Sequence, residues 1–290
     1  WGYMVKNIPY NQAKIVFAEG NFWGRTLAAI SSSSDKTSYE NFGPYMPGFI
    51  TVPYNNLNLL EFAFQDKNIA AFMVEPIQGE AGVIIPDPGY LKEAKLLCEK
   101  YNVLFIADEI QTGLYRTGKL LACDYEEVKP DILILGKALS GGVLPISAVL
   151  ANDDIMLLIN PGEHGSTYGG NPLACAVAMT ALRVLKDEKM GSNAKDMGKI
   201  FRQKIAQISN PLIKSVRGLG LLNAIELDTY NLQVGWKLCV QLMKNGLLAK
   251  PTHHNKIRFA PPLVINESQI NESVKIIAAS FSSLKIKDIK

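Results

Sequence analysis

Residues 103–142 read VLFIADEIQTGLYRTGKLLACDYEEVKPDILILGKALSGG. Two short apolar runs lie in this stretch. Val103–Ala107 stops at Asp108-Glu109, and Ile132–Leu135 stops at Gly136-Lys137. Runs this short, apolar at every position, predict strands buried on both faces, and such strands belong to parallel sheets covered by helices. The same texture continues outward. Lys14–Ala18 (KIVFA), Ile69–Val74 (IAAFMV, ending at Glu75-Pro76) and Ile146–Leu150 predict further strands. Tyr90–Tyr101 has helical periodicity, and the Ala-rich Pro172–Asp187 predicts a long helix. Ser31–Ser34 predicts a loop. The expected fold class is α/β, with a mostly parallel central sheet and helices on both faces. In such sheets ligands bind beyond the carboxyl ends of the strands, where Glu75, Asp108 and Lys137 all fall.

The texture changes after Asp187. Amphipathic stretches at Asn193–Ile208, Gln233–Asn245 and Asn266–Ser283 alternate with strand-like runs at Leu221–Leu227 and Lys256–Phe259. This predicts a large first domain, residues 1–185, and a smaller C-terminal α+β domain, residues 186–290, with a frayed Lys-rich tail. The chain starts at Trp1 in what reads as the middle of a domain, so the N-terminal part of the large domain is expected to lie outside this sequence.

The 290 residues are 48% hydrophobic and 20% charged, an ordinary globular balance. The net charge of +3 comes without a dense Lys/Arg run and does not point to a nucleic-acid partner. No apolar stretch has membrane-spanning length. Cys98, Cys123, Cys175 and Cys239 are far apart, which predicts buried thiols in a reducing compartment rather than a disulfide framework or zinc site. The expectation is a cytoplasmic protein, with the mitochondrial matrix as the alternative. His164, His253 and His254 have no metal-ligand spacing, and no metal is expected. His164 reads as part of a loop, and the other two as solvent-facing or near a site entrance.

A lysine directly after a buried strand is expected to be partly desolvated, which lowers its pKa and favours Schiff-base chemistry. The bland reading of Lys137 is a surface lysine at a strand end. Gly136, Gly141 and Gly142 favour the first, because glycines let backbone approach a ligand closely. Asp108 has two even readings from the residue alone: a helix N-cap, or a buried carboxylate that needs a cation. With Lys137 closing the next strand, a cationic ligand gains weight.

Four segments, FMVEPIQGEAGV (72–83), FIADEIQTGLYRTG (105–118), LGKALSGG (135–142) and GEHGSTYGGNPLACA (162–176), resemble the signatures of class III aminotransferases. GNFWGRTLAAISSS (20–33), FGPYMPGF (42–49), VRGLGLLNAIEL (216–227) and LLAKPTHHNKIRFAPPLVI (247–265) resemble the branch of that family that acts on ornithine. The likeness covers nearly the whole chain. It implies fold type I of the enzymes that use pyridoxal 5'-phosphate, small-molecule substrates (ornithine, 2-oxoglutarate and glutamate), and a homodimer.

The resemblance also implies roles. Lys137 carries the cofactor, and Asp108 keeps its ring nitrogen protonated. Gln111 faces the phenolic oxygen, Phe22 and Ile110 cover the two ring faces, and Glu75 supports the surroundings of Gln111. Ser166 and Thr167 bind the phosphate, reaching into the neighbouring subunit's site. Arg25 holds a substrate carboxylate, and Glu80 pairs with Arg258 in a contact that opens or closes with the substrate. The bland alternatives are core packing for Phe22 and Ile110, a surface ion pair for Arg25, a strand-end acceptor for Glu75, and caps of the helix near Pro172 for Ser166 and Thr167. The family's glycine/alanine-rich phosphate turn and pocket tyrosines precede the matched segments and are not in this sequence.

Three competing functions remain. One is another ω-aminotransferase of the class, acting on acetylornithine or 4-aminobutyrate; Phe22-Trp23-Gly24-Arg25 and Lys250-Pro251-Thr252-His253 favour ornithine. A second is a non-catalytic homologue, which the intact Lys137, Asp108 and Gln111 argue against. A third is a nicotinamide dehydrogenase, hinted at only by Gly218-x-Gly220.

Overall fold

The computed structural model describes residues 1–231, 233–253 and 255–284. His254 and the expected frayed tail from residue 285 lie outside these residues. The chain divides into two compact units. The first comprises residues 1–78, 86–113 and 121–183, and the second residues 79–85, 114–120 and 184–290.

The first unit is built on six strands: β1 (Lys14–Ala18), β2 (Phe49–Val52), β3 (Ile69–Val74), β4 (Leu104–Asp108), β5 (Ile132–Leu135) and β6 (Ala148–Ala151). Their order is β2-β1-β3-β4-β5-β6. The neighbours from β2 to β5 run parallel, and β6 is antiparallel to β5. β3 shows why the apolar runs become these strands. Five of its six residues are buried, so both faces of the pleat are covered, as a parallel sheet requires. Phe72 and Phe105 lie on adjacent strands in register and meet edge to face with centroids 6.0 Å apart. The helix Tyr90–Lys100 sets Tyr90, Leu91, Ala94 and Cys98 into the same core.

Three features of this unit depart from expectation. β2 is a strand the sequence reading did not include: FITV is rich in strand formers but is only four residues long, lies between Pro47 and Pro53, and buries one side chain. β5 and β6 are only half-buried or exposed in this chain, so the burial expected on both faces holds for β3 but not at that side of the sheet. The polar run Ser31–Ser34 is not all loop. Ser31 ends a short helix, and Ser32 is buried, its hydroxyl accepting a 2.6 Å hydrogen bond from Trp23 Nε1.

The second unit holds an antiparallel sheet in the order β7-β8-β10-β9, formed by β7 (Ile213–Leu219), β8 (Leu222–Leu227), β9 (Lys250–Thr252) and β10 (Lys256–Phe259). Helices Met190–Ala206, Val234–Lys244 and Glu267–Ser283 pack on it through Phe201, Ile205, Leu238, Leu242, Ile277 and Phe281. Asn266 and Gln269 form a reciprocal capping box at the start of the last helix. Gly220, with φ 54°, sits in the tight turn between β7 and β8, where an added Cβ would lie 2.3 Å from Thr117 carbonyl carbon. Gly218-x-Gly220 therefore belongs to an antiparallel hairpin. It does not follow a parallel strand or open a helix, so the dinucleotide reading has no structural basis.

Cys98, Cys123 and Cys239 are buried free thiols, as expected, whereas Cys175 is half-buried. Among the described residues no helix is long and apolar enough to cross a membrane, and no cluster of potential metal ligands occurs.

Candidate active site

β3, β4 and β5 are parallel neighbours, so their carboxyl ends share one edge of the sheet. Glu75 follows β3, Asp108 is the last residue of β4, and Lys137 comes two residues after β5. The strand order thus gathers the three ionisable residues that the sequence singled out.

Asp108 is 4% exposed. Its Oδ1 accepts a 3.0 Å hydrogen bond from Ile110 N, its one hydrogen bond among the described residues. The segment after it forms turns rather than a helix, so the helix-cap reading fails and the bond closes a local turn instead. Burial pushes the Asp108 carboxyl up to about 6, against the opposing pull of the Ile110 N–H and the Lys137 charge, and with a small further push from Glu109. Among the described residues no cation forms an ion pair with it, and a buried carboxylate in this condition calls for one.

Phe22, Glu75 and Asp108 line one small recess together with Phe17, Asn21, Trp23, Met73 and Val74. Glu75 is buried, and its Oε1 accepts a 2.9 Å bond from Phe22 N, which ties the loop carrying Phe22 to the end of β3. Asn21 anchors the same loop by donating to Ala18 O and Ser32 O, both at 2.9 Å. Arg25 is exposed, its guanidinium 5.5 Å from the Phe22 ring centroid, and it forms no ion pair among the described residues. The surface ion pair considered for it is absent.

Lys137 corrects the sequence reading. It is exposed in this chain, not desolvated, and has φ 40°. It lies past the covered part of the sheet, in a 3-10 turn closed by Gly141, where the strand no longer shields it. Gly136 packs against Ile110, with a notional Cβ 3.5 Å from Ile110 side-chain carbons. Ile110 and Gln111 are both half-buried.

Ser166 and Thr167 lie in residues 161–170, every one of which is exposed. Ser166 Oγ accepts from Gly169 N at 3.0 Å. Neither residue caps the helix Pro172–Asp187; Asn171 does, accepting from Ala174 N at 2.9 Å. His164 is in the same exposed loop, and His253 is exposed.

Nothing local in the sequence marks Glu109. It is 1% exposed, accepts a 2.8 Å bond from Cys123 N, and is also bonded by the Thr112 hydroxyl. Burial raises its pKa. It joins residues on either side of the 114–120 excursion, a long-range contact that local spacing does not announce.

In the second unit Glu80 meets Arg258 as expected, with Arg258 Nη1 2.6 Å from Oε1. Lys250 Nζ is 2.7 Å from the other oxygen, Oε2. Partial burial pushes Glu80 up, but the two cations overcome it and hold the carboxyl at about 2. Arg217 fixes the segment that carries Glu80, donating through Nε and Nη2 to Gly82 O and Val83 O at 2.8–3.2 Å and through Nη1 to Glu226 at 2.6 Å. Gly82 has φ 105°, a conformation in which any side chain would be strained.

The residues fit pyridoxal phosphate: a protonated ring nitrogen is the cation that Asp108 lacks, and Phe22 stands beside it with an amine-bearing side chain two residues past the neighbouring strand.

A family model described as "Aminotransferase class-III" matches residues 1–281. The mitochondrial ornithine aminotransferase of Drosophila melanogaster is 61% identical over 284 residues, which are 98% of this chain and 65% of that protein. This chain therefore spans about two thirds of the length of that relative. A solved ornithine aminotransferase from Toxoplasma gondii, described as having partial occupancy of PLP at its active site, superposes with a TM-score of 0.95 at 50% identity over 100% of this chain and 69% of that one. An acetylornithine aminotransferase from Elizabethkingia anophelis superposes with a TM-score of 0.86 at 53% identity, covering 98% of this chain and 69% of that one. The strand order, the residues gathered at the sheet edge and these likenesses agree: the chain belongs to the class III aminotransferases and has their α/β fold.

Proposed function

We propose that the protein is an ornithine δ-aminotransferase that uses pyridoxal phosphate to move the δ-amino group of ornithine to 2-oxoglutarate, giving glutamate-5-semialdehyde and glutamate. The observation that carries this reading is Asp108, a buried carboxylate without a matched cation at the edge where Lys137 follows the next strand. Bound pyridoxal phosphate supplies an aldehyde that joins amines and a protonated ring that accepts an electron pair.

The chain's own residues divide the remaining work. Asp108 holds the proton on the ring nitrogen. Phe22 and Ile110 cover the ring faces, Gln111 donates toward the phenolic oxygen, and Glu75 keeps the Phe22 loop in place. Lys137 Nζ first holds the cofactor. Freed from the cofactor, Nζ would serve as the general base and acid that carries the proton from the amine-bearing carbon to the cofactor carbon that had borne the aldehyde. Arg25 holds the outer carboxylate of ornithine. With Glu80 on Arg258, no inner carboxylate site is offered, so the δ-amine is presented; glutamate requires Arg258 to be released. Partly buried ion pairs lose much of their attraction to desolvation, so release need not be costly.

The exposure of residues 161–170 supports a homodimer in which Ser166 and Thr167 complete the partner's phosphate site. Val143, Tyr168, Leu173 and Met179, each more than 60% exposed, supply an apolar surface suited to such an interface. Full-length protein should sediment as a dimer; an active, cofactor-saturated monomer would contradict this. The mitochondrial name of the Drosophila relative favours the matrix over the cytoplasm.

The test is a visible absorption spectrum of the full-length protein with pyridoxal phosphate. A yellow band bleached by ornithine, with semialdehyde released, is expected. Bleaching by acetylornithine or 4-aminobutyrate in preference would shift the assignment within the family, and no band at all would remove it.

A further inference from the structure

We propose that Lys250 is a positioning residue that holds Glu80 when Arg258 is released, and so sets how readily the protein accepts a dicarboxylate. This rests on the reading that Arg258 receives a substrate carboxylate.

Lys250 and Arg258 are direct partners in the register of antiparallel β9 and β10. Like charges directly opposite each other on neighbouring strands repel. Glu80 relieves the conflict, reaching in from residues 79–85 with one carboxylate oxygen for each cation, Oε1 to Arg258 and Oε2 to Lys250. The cations differ in burial: the Arg258 side chain is 13% exposed, that of Lys250 59%, and that of Glu80 20%.

The consequence follows from what is left behind on opening. In a simple pair, taking Arg258 away strands a partly buried carboxylate, and an uncompensated buried charge is costly. Here Glu80 keeps Lys250. At the same moment the incoming carboxylate neutralises Arg258, so the opposed cations each retain an anion. Lys250 attracts Glu80 in both states, but in the closed state its attraction competes with repulsion from Arg258. It therefore stabilises the open state more than the closed one. The segment bearing Glu80 does not need to move for this, because Arg217 holds its backbone. Neutralising Lys250 should favour closure; neutralising Glu80 should favour opening.

The experiment is calorimetric binding of glutarate, a dicarboxylate that cannot transaminate, to the full-length cofactor-loaded protein, together with single-turnover reaction of the same proteins with ornithine and with glutamate. Relative to wild type, Lys250→Gln should weaken glutarate about two- to five-fold, the range for an exposed arm of an ion pair, and slow glutamate more than ornithine. Lys250→Arg should restore both. Glu80→Gln should tighten glutarate. If Glu80→Gln leaves glutarate binding unchanged, the reading of Arg258 as a carboxylate site fails. If Glu80→Gln tightens glutarate while Lys250→Gln weakens it no more than Lys250→Arg does, or tightens it, Lys250 has no positioning role and the inference is overturned. Equal slowing of both half-reactions by Lys250→Gln would likewise reduce Lys250 to a structural contact.

Discussion

Asp108 and Glu80 are both carboxylates drawn away from water, and they respond in opposite ways. Asp108, at the end of β4 in the first unit, accepts one backbone hydrogen bond among the described residues and is pushed up to about 6. Glu80, in the second unit, is gripped by Arg258 and Lys250 and held at about 2. Burial acts in the same direction on both; the supply of cations decides the outcome. The difference teaches what each is suited for. Under the proposed function, Asp108 awaits a cation from outside the chain, whereas Glu80 is already matched and its use would lie in being unmatched when a competing carboxylate arrives.

The comparison is broken most severely at Lys137, the cation whose charge reaches Asp108 without satisfying it. Lys137→Ala should lower transamination by at least ~10³-fold, because the variant loses both the cofactor's attachment point and the proton carrier. The melting temperature should change little, since Lys137 is exposed. Near-wild-type turnover would rule out the assignment. Asp108→Asn tests the other side of the same site. Asparagine fits the space but cannot hold a ring-nitrogen proton electrostatically, so the turnover number should fall about 10²-fold or more while ornithine affinity changes less. Equal turnover would leave Asp108 as a turn-former only.

Glu80→Ala sharpens the comparison on its matched side. It should leave glutamate processing at least as fast and shift ornithine products from the semialdehyde toward the 2-oxo acid, by roughly ten-fold or less. An unchanged product ratio with unchanged glutamate kinetics would take Glu80 out of the specificity argument. The smallest effect is in acid. Because the folded-state pKa of Glu80 lies below its ordinary 4.5, its contribution to stability is full above about 4.5 and is lost as pH falls toward about 2. Denaturant titrations of wild type and Glu80→Gln should converge over that window.

The legible parts of this protein are those whose physics is local. β3 and β5 were bounded correctly because their apolar runs end in Glu-Pro and Gly-Lys, and Glu75, Asp108 and Lys137 followed from the rule that parallel strands present ligands at their carboxyl ends. β7 carries no local signal, because IKSVRGL has no buried residue and its strand character comes from pairing with β8. The segments 79–85 and 114–120 belong to the second unit although they interrupt the first, and nothing local marks such excursions. The surroundings of Glu109 and the pairing of Lys250 are illegible for the same reason: one depends on Cys123, the other on the register opposite Arg258. Lys137 follows β5 as its apolar run implies, but it is exposed, because β5 and β6 are less covered than β3.

The central claim is that Asp108 is held ready for a cation supplied by the cofactor, and stability against pH measures it directly. A carboxyl whose folded pKa is raised from 3.8 to about 6 opposes folding above that range, so without cofactor Asp108→Asn should be more stable than wild type at pH 8, on the order of 3 kcal/mol, and the two should converge below about pH 4. Adding pyridoxal phosphate should reverse the order at pH 8, because its ring cation then rewards the ionised carboxylate. Denaturant unfolding of the full-length protein, with and without cofactor, gives both comparisons. Asp108→Asn less stable than wild type without cofactor at pH 8, or no reversal when cofactor is added, would contradict the account.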